Sequence, residues 1–359
     1  MTTCPNDHQN FLATTEHRRP GRILYYASFT PDLRRRVIER IGTDNVDAHF
    51  GFARAAGINL KRPADLPPLD TLRYYAPGEL PEGTTFNPHG VARIPSGYYH
   101  FFGYLSPLRN ARSLKELEDY PLDDMSDWPC TMTPADVAAA HADGRFVTGG
   151  AGHIFECAWQ IRGMEQFIRD TLEQPAWAEC LIERLAAQAQ ARAVAFARAG
   201  ADRIQCGDDV ATQHSLMISP DQWRSLLHEP WRRIWRQIKK ISPQTRIWYH
   251  SDGAIMKIIP DLIDAGLDIL NPVQPECLDV AEVHRRFGRR LTLDGCIGTQ
   301  SLMPFGTPDD VRTRVRELIE NYGREGGLIL SPTHILEPEV PIENIEAFAD
   351  ACREFGTFE

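Results

Sequence analysis

From Thr133 to the carboxyl terminus, helix and strand signals alternate with little else between them. Thr133-Pro-Ala-Asp opens a helix that stops near Gly144, with proline at the first helical position, where its missing N–H is harmless. Arg145-Phe-Val-Thr-Gly-Gly-Ala151 is predicted as a strand ending in glycines. Helices follow over 165–173 and 176–199, the second alanine-rich and closed by Gly200. Strands are then predicted at 202–207, 246–250, 267–271, 290–296 and 326–334, with helices between them and a closing helix over 342–355. With Arg22-Ile-Leu-Tyr-Tyr-Ala-Ser28 this makes seven strand candidates. Such alternation calls for parallel strands joined by helical crossovers. No GxGxxG or GxxxxGK[ST] turn is present, which disfavours a doubly wound nucleotide-binding sheet. The expected fold is α/β, a (β/α)8 TIM barrel with an amino-terminal loop-rich insertion.

Residues 1–20 are polar and lack an apolar stretch, and are expected to form a flexible arm ahead of a single domain over 21–359. Residues 60–130, rich in proline and aromatics, are expected to form an insertion that serves as a lid. Tyr98, Tyr99, His100 and Phe102 are its candidates for excluding water, the first three as substrate-binding residues. A formal charge of −10 argues against a nucleic-acid partner, which needs a basic face. No apolar run approaches the roughly 20 residues that a membrane-spanning helix needs. Eight scattered cysteines without a CxxC pair point to reduced thiols and a cytoplasmic protein.

If the barrel forms, the ends of its strands meet at one mouth, where such folds place their chemistry. The strand Arg246-Ile-Trp-Tyr-His250 breaks into Ser251-Asp252-Gly253, so His250 and Asp252, two apart, can share a face. The plain alternative is a hydrogen-bonded core histidine and an aspartate capping the next helix. His250, Asp252 and His334 are the candidate metal ligands, a set that leaves coordination positions open. Zinc is the first choice, although this set also accepts Fe(II), Mn(II) or Ni(II). Asp208 and Asp209 are candidate acids or bases, because adjacent carboxylates raise one another's pKa, or else loop caps. Glu156, after Gly149-Gly-Ala-Gly152, is a further candidate base or ligand, or a helix-start carboxylate. Asn271 ends another strand and is assigned to substrate binding, and Cys296 reads as a small buried residue more than as a ligand.

The order of Asp208-Asp-Val, Ile218-Ser-Pro, His250-Ser-Asp-Gly, Leu270-Asn-Pro-Val-Gln-Pro, Asp294-Gly-Cys-Ile-Gly-Thr-Gln300, Pro332-Thr-His334 and Val340-Pro-Ile-Glu-Asn344-Ile resembles the uroporphyrinogen decarboxylase superfamily. That superfamily includes the corrinoid and coenzyme M methyltransferases. The resemblance covers most of residues 20–356 and implies a barrel with its site at the carboxyl ends of the strands. True porphyrinogen decarboxylases carry an arginine-rich loop near the amino terminus and need no metal. Here the corresponding stretch is Arg19-Pro-Gly-Arg-Ile-Leu-Tyr-Tyr, without that loop. The methyltransferase branch holds zinc through His-x-Cys and a later Cys, where this chain has His250-x-Asp252 and His334. Replacing sulfur with oxygen and nitrogen makes a stronger Lewis acid, better suited to an oxygen-containing substrate than to a thiol.

The resemblance thus implies a metal-dependent methyltransferase or demethylase acting on a small oxygen-containing substrate, with a corrinoid protein as acceptor and a homodimeric assembly. A metal-assisted decarboxylase or other lyase acting on a small carboxylated substrate is the alternative. A non-catalytic corrinoid-pathway binder is the third reading, kept open by the loss of both cysteines.

Overall fold

The computed structural model describes residues 5–96 and 102–358. Eight parallel strands form one curled sheet: β1 (Leu24–Tyr25), β2 (Ala55–Ile58), β3 (Phe146–His153), β4 (Arg203–Gly207), β5 (Arg246–His250), β6 (Ile269–Asn271), β7 (Thr292–Ile297) and β8 (Leu328–Pro332). Their order is β1-β8-β7-β6-β5-β4-β3-β2. A backbone hydrogen bond from the Ala53 N–H, two residues before β2, to the Tyr25 carbonyl of β1 at 2.8 Å links the two ends of the sheet. β2, missed by the sequence reading, is Ala-Ala-Gly-Ile, too poor in β-branched residues to signal itself.

The period-two alternation of the strands sorts two cores. Ile247, Tyr249 and Leu270 face outward, into the large cluster under the helices that also holds Trp231 and Trp235. Trp248, Ile269, Ile329, Leu24 and Phe146 face inward and pack with Phe11. His250 shares the inward face of β5, and its ring stacks on Trp248 with centroids 5.8 Å apart.

Phe11 corrects one expectation. Residues 7–15, read as part of a loose arm, form helix α1 (Asp7–Thr15). Asn6 and Gln9 make a reciprocal capping box at its start, with bonds of 2.9 and 3.0 Å. Phe11 is fully buried and stacks on Phe146 at 4.6 Å. Asn10, also fully buried, accepts from the Gly21 and Arg22 N–H groups. One aromatic ring and one amide thus hold a segment whose average polarity suggested disorder.

Between β2 and β3 lie a three-stranded antiparallel sheet (Thr85–Phe86, Ala92–Pro95, Phe102–Leu105) and a short helix, Leu114–Glu118. Tyr98, Tyr99 and His100 lie outside the described residues. Two helices after β3 matter for the site: α2 (Phe155–Arg162) and the 25-residue α3 (Pro175–Ala199).

Candidate functional site

Strand register sets the site. His153 pairs with Gly207, Gly207 with His250, and His250 with Asn271, so four neighbouring strands end at one level. The glycine in this row is required by space. A Cβ on Gly207 would stand 2.9 Å from the His250 carbonyl oxygen and 3.3 Å from His153 Nε2. The rings of His153 and His250 lie 6.4 Å apart, centroid to centroid.

Just past the row, Asp209, His250 and Asp252 bring donor atoms within 4.8 Å of one another. His250 Nε2 lies 3.7 Å from Asp209 Oδ1 and 3.9 Å from Asp252 Oδ2. The other ring nitrogen, Nδ1, donates to Asn271 Oδ1 at 2.7 Å. Asn271 is fixed in that sense because its Nδ2 donates to the Asp294 carbonyl. The Nε2 edge of the ring therefore faces the two carboxylates. Burial, with the Asp209 charge added, pushes the Asp252 carboxyl above its ordinary value, against the pull of His250 and His334. The Asp252 backbone N–H donates to Asp209 Oδ1 at 3.0 Å, which locks the two loops together.

Two carboxylates and an imidazole nitrogen are aimed at one point. A divalent cation fits this donor set, and an N/O/O combination suits zinc or another borderline-to-hard metal.

The other predicted residues take different places. His334 is exposed and lines a neighbouring cavity of about 340 Å³ together with Asp252, but it is not among the three converging donors. Asp209, read in the sequence as an acid or base, is the third member of that group. Asp208, paired with Asp209 in the sequence reading, is fully buried. Its carboxylate accepts from the Ile154 and Glu156 N–H groups and from Trp231 Nε1, at 2.7, 3.1 and 3.1 Å. It thus holds the start of α2 instead of facing the mouth, and burial pushes its carboxyl up to about 7. Successive residues leaving a strand point opposite ways, which separates Asp208 from Asp209. Asn271, assigned to substrate, is only 5% exposed and spends its amide on His250. Cys296 is buried, with its thiol pushed up to about 12 by burial, far from a reactive thiolate.

Glu156 Oε2 accepts a hydrogen bond from His153 Nδ1, and its Oε1 accepts from Gln160 Nε2 at 2.9 Å. Gln160 in turn accepts from Asn87 Nδ2 at 3.0 Å, reaching the segment between β2 and β3. Burial opposes a charge on His153. The hydrogen bond and charge of Glu156, with Asp208 and Asp209, outweigh it and lift the imidazole to about 9. His153 was missed by the sequence reading. Its signal was a histidine at a strand end three residues before a glutamate on the next helix.

Fold and site together define an α/β protein that gathers metal-capable side chains at the carboxyl ends of a parallel sheet. The uroporphyrinogen decarboxylase (URO-D) family model matches residues 104–355, and the chain belongs to that family. It is 27% identical to a methylated-thiol–coenzyme M methyltransferase of Methanosarcina mazei over 200 residues, 56% of this chain and 51% of that protein. It is 26% identical to a uroporphyrinogen decarboxylase of Methylococcus capsulatus over 191 residues, 51% of this chain and 50% of that one. A methylcobamide:CoM methyltransferase of Methanosarcina barkeri is 24% identical over 58% of each chain. The matches span about half the length of these relatives. A solved methyltransferase from Methanosarcina mazei shares the fold, with a TM-score of 0.66 at 16% identity, over 98% of this chain and 99% of that one. Among the described residues no helix is long and apolar enough to cross a membrane.

Proposed function

We propose that the protein is a metal-dependent methyltransferase of the URO-D family, acting on a small oxygen-containing substrate at the mouth of a (β/α)8 barrel, with a corrinoid protein as methyl acceptor. The observation that carries this reading is the convergence of Asp209, His250 and Asp252 within 4.8 Å at the strand ends. Methyltransferases among the relatives and the absence of the arginine-rich decarboxylase loop support it.

A zinc-class ion in this cluster supplies Lewis acidity toward a substrate oxygen. The protein's own groups do the rest. Asn271 orients His250, and Asp209 fixes the Asp252 loop. His153, held as a cation by Glu156, offers a proton or a hydrogen bond to a leaving oxygen. The segment between β2 and β3, tied to Glu156 through Asn87 and Gln160, serves as the lid that excludes water, with Tyr98, Tyr99 and His100 within it. His334, on the rim beside Asp252, is assigned to substrate contact or to completing the metal's shell.

Decarboxylation is the second reading, supported by the porphyrinogen decarboxylases among the relatives. Elemental analysis after reconstitution tests the leading one. Near one equivalent of a transition metal is expected, lost on His250→Ala. Less than about 0.2 equivalents in the wild type removes the metal mechanism. Methyl transfer from a methoxylated donor to a corrinoid, followed by its visible spectrum, separates the two reactions.

A further inference from the structure

Arg192, on α3, reaches across to the glycine-rich end of β3. Its Nη1 donates to the Ala151 carbonyl at 2.9 Å. A Cβ on Gly152 would stand 2.8 Å from that same nitrogen, and Gly152 has a φ of +100°, so both space and backbone ask for glycine there. The guanidinium lines a cavity of about 580 Å³, together with Asn87, Gly150, Phe196 and Trp128.

The charges in this cavity do not balance. Arg62, the other arginine on its wall, is held by Asp123 through hydrogen bonds of 3.1 and 3.2 Å. His89 nearby is kept neutral: burial, with Arg192 adding to it, pushes its pKa down to about 4. No carboxylate among the described residues lies in ion-pair distance of Arg192, and residues 97–101, Gly-Tyr-Tyr-His-Phe, contain no acid. Burial pulls the Arg192 guanidinium below its ordinary value. A half-buried cation without an anion is costly, and the planar fork matches an oxyanion in two-point contact. The same cavity touches Asn87, whose chain of contacts through Gln160 and Glu156 ends at His153, beside His250.

We propose that Arg192 is the anion anchor of this cavity, holding a carboxylate or sulfonate on its planar fork, and that this anion is carried by the substrate of the Asp209–His250–Asp252 cluster. The role of the cluster rests on the function proposed above, whereas the anchor itself does not.

The test uses fluorine NMR of the full-length protein with three probes: trifluoroacetate, trifluoromethanesulfonate and neutral trifluoroethanol. Saturable broadening of an anionic probe, displaced by acetate or by ethanesulfonate, is expected for the wild type, with none for trifluoroethanol. Whichever anion binds tighter identifies the oxyanion class. Arg192→Gln is expected to weaken binding about 10- to 100-fold, the worth of a charged hydrogen bond. Arg192→Lys, which keeps the charge without the fork, is expected to fall between the two and serves if the glutamine variant does not fold. His250→Ala is expected to leave probe binding unchanged. No saturable binding in the wild type, wild-type binding in Arg192→Gln or (if that variant does not fold) in Arg192→Lys, or loss in His250→Ala alone overturns the anchor. Metal analysis is blind to Arg192, so failure of the metal reading and failure of the anchor are separate results.

Discussion

Asn271 Oδ1 accepts the Nδ1 proton of His250 at 2.7 Å, and this single bond decides which nitrogen of the imidazole faces Asp209 and Asp252. Outer partners of this kind are worth about 10- to 100-fold in metal affinity. Asn271→Ala should therefore weaken zinc binding by about that factor while leaving the stoichiometry at one. Competition against a chelating dye measures it, and an unchanged affinity would show that the ring is oriented by something else.

The two carboxylates are predicted to contribute unequally. Asp209→Asn removes a donor and alters the acceptor of the Asp252 N–H, so the neighbouring loop loosens as well. Asp252→Asn removes a donor only. Both should lose metal, with Asp209→Asn showing the larger rise in backbone hydrogen exchange over 250–254. Equal exchange in the two variants would mean that the contact between the loops carries no weight.

Gly207 tests the spacing of the mouth. A methyl group there meets the His250 carbonyl at 2.9 Å, and backbone cannot swing aside as a side chain does. Gly207→Ala should cost about 1–3 kcal/mol of stability through overpacking and should weaken metal binding by displacing His250. Denaturant titration and the dye competition read the two effects independently.

His89 predicts a pH dependence. Its folded-state pKa lies near 4, below the ordinary 6.5, because burial and Arg192 disfavour the charge. Between these values the unfolded chain binds a proton that the folded chain refuses. Stability from this group is thus complete above pH 6.5 and lost as the pH falls towards 4, by about 3 kcal/mol. Unfolding curves of the wild type and His89→Asn between pH 4 and 7 should converge as the pH drops, and parallel curves would contradict the assignment.

The amino-terminal helix is expected to be integral to the fold. Phe11→Ala empties a fully buried site against Phe146 and should destabilise the protein by about 3–5 kcal/mol. A change below about 1 kcal/mol would restore the loose arm suggested by composition.

Much of the framework was legible because period-two strands and capped helices announce themselves locally. Six of the strands after residue 140 were read in place, as were the helix closed by Gly200 and the His250–Asp252 pair at a strand end. What escaped depends on long-range pairing. Whether Asp208 or Asp209 faces the mouth turns on which way the chain leaves β4, and adjacent letters do not encode that. His334 and Asp209 are equally acceptable donors on paper, and that Asp209 approaches His250 and Asp252 within 4.8 Å is a matter of tertiary placement. Arg192 lay unnoticed within an alanine-rich helix, because its meaning comes from a glycine forty residues earlier.

The seam of the sheet lies between β1 and β2, strands of two and four residues, where the Ala53–Tyr25 bond runs just ahead of β2. Asp209, His250 and Asp252 hang from β4 and β5, near the middle of the strand order and far from that seam. Their mutual spacing therefore does not hang on the short strands at the two ends of the sheet.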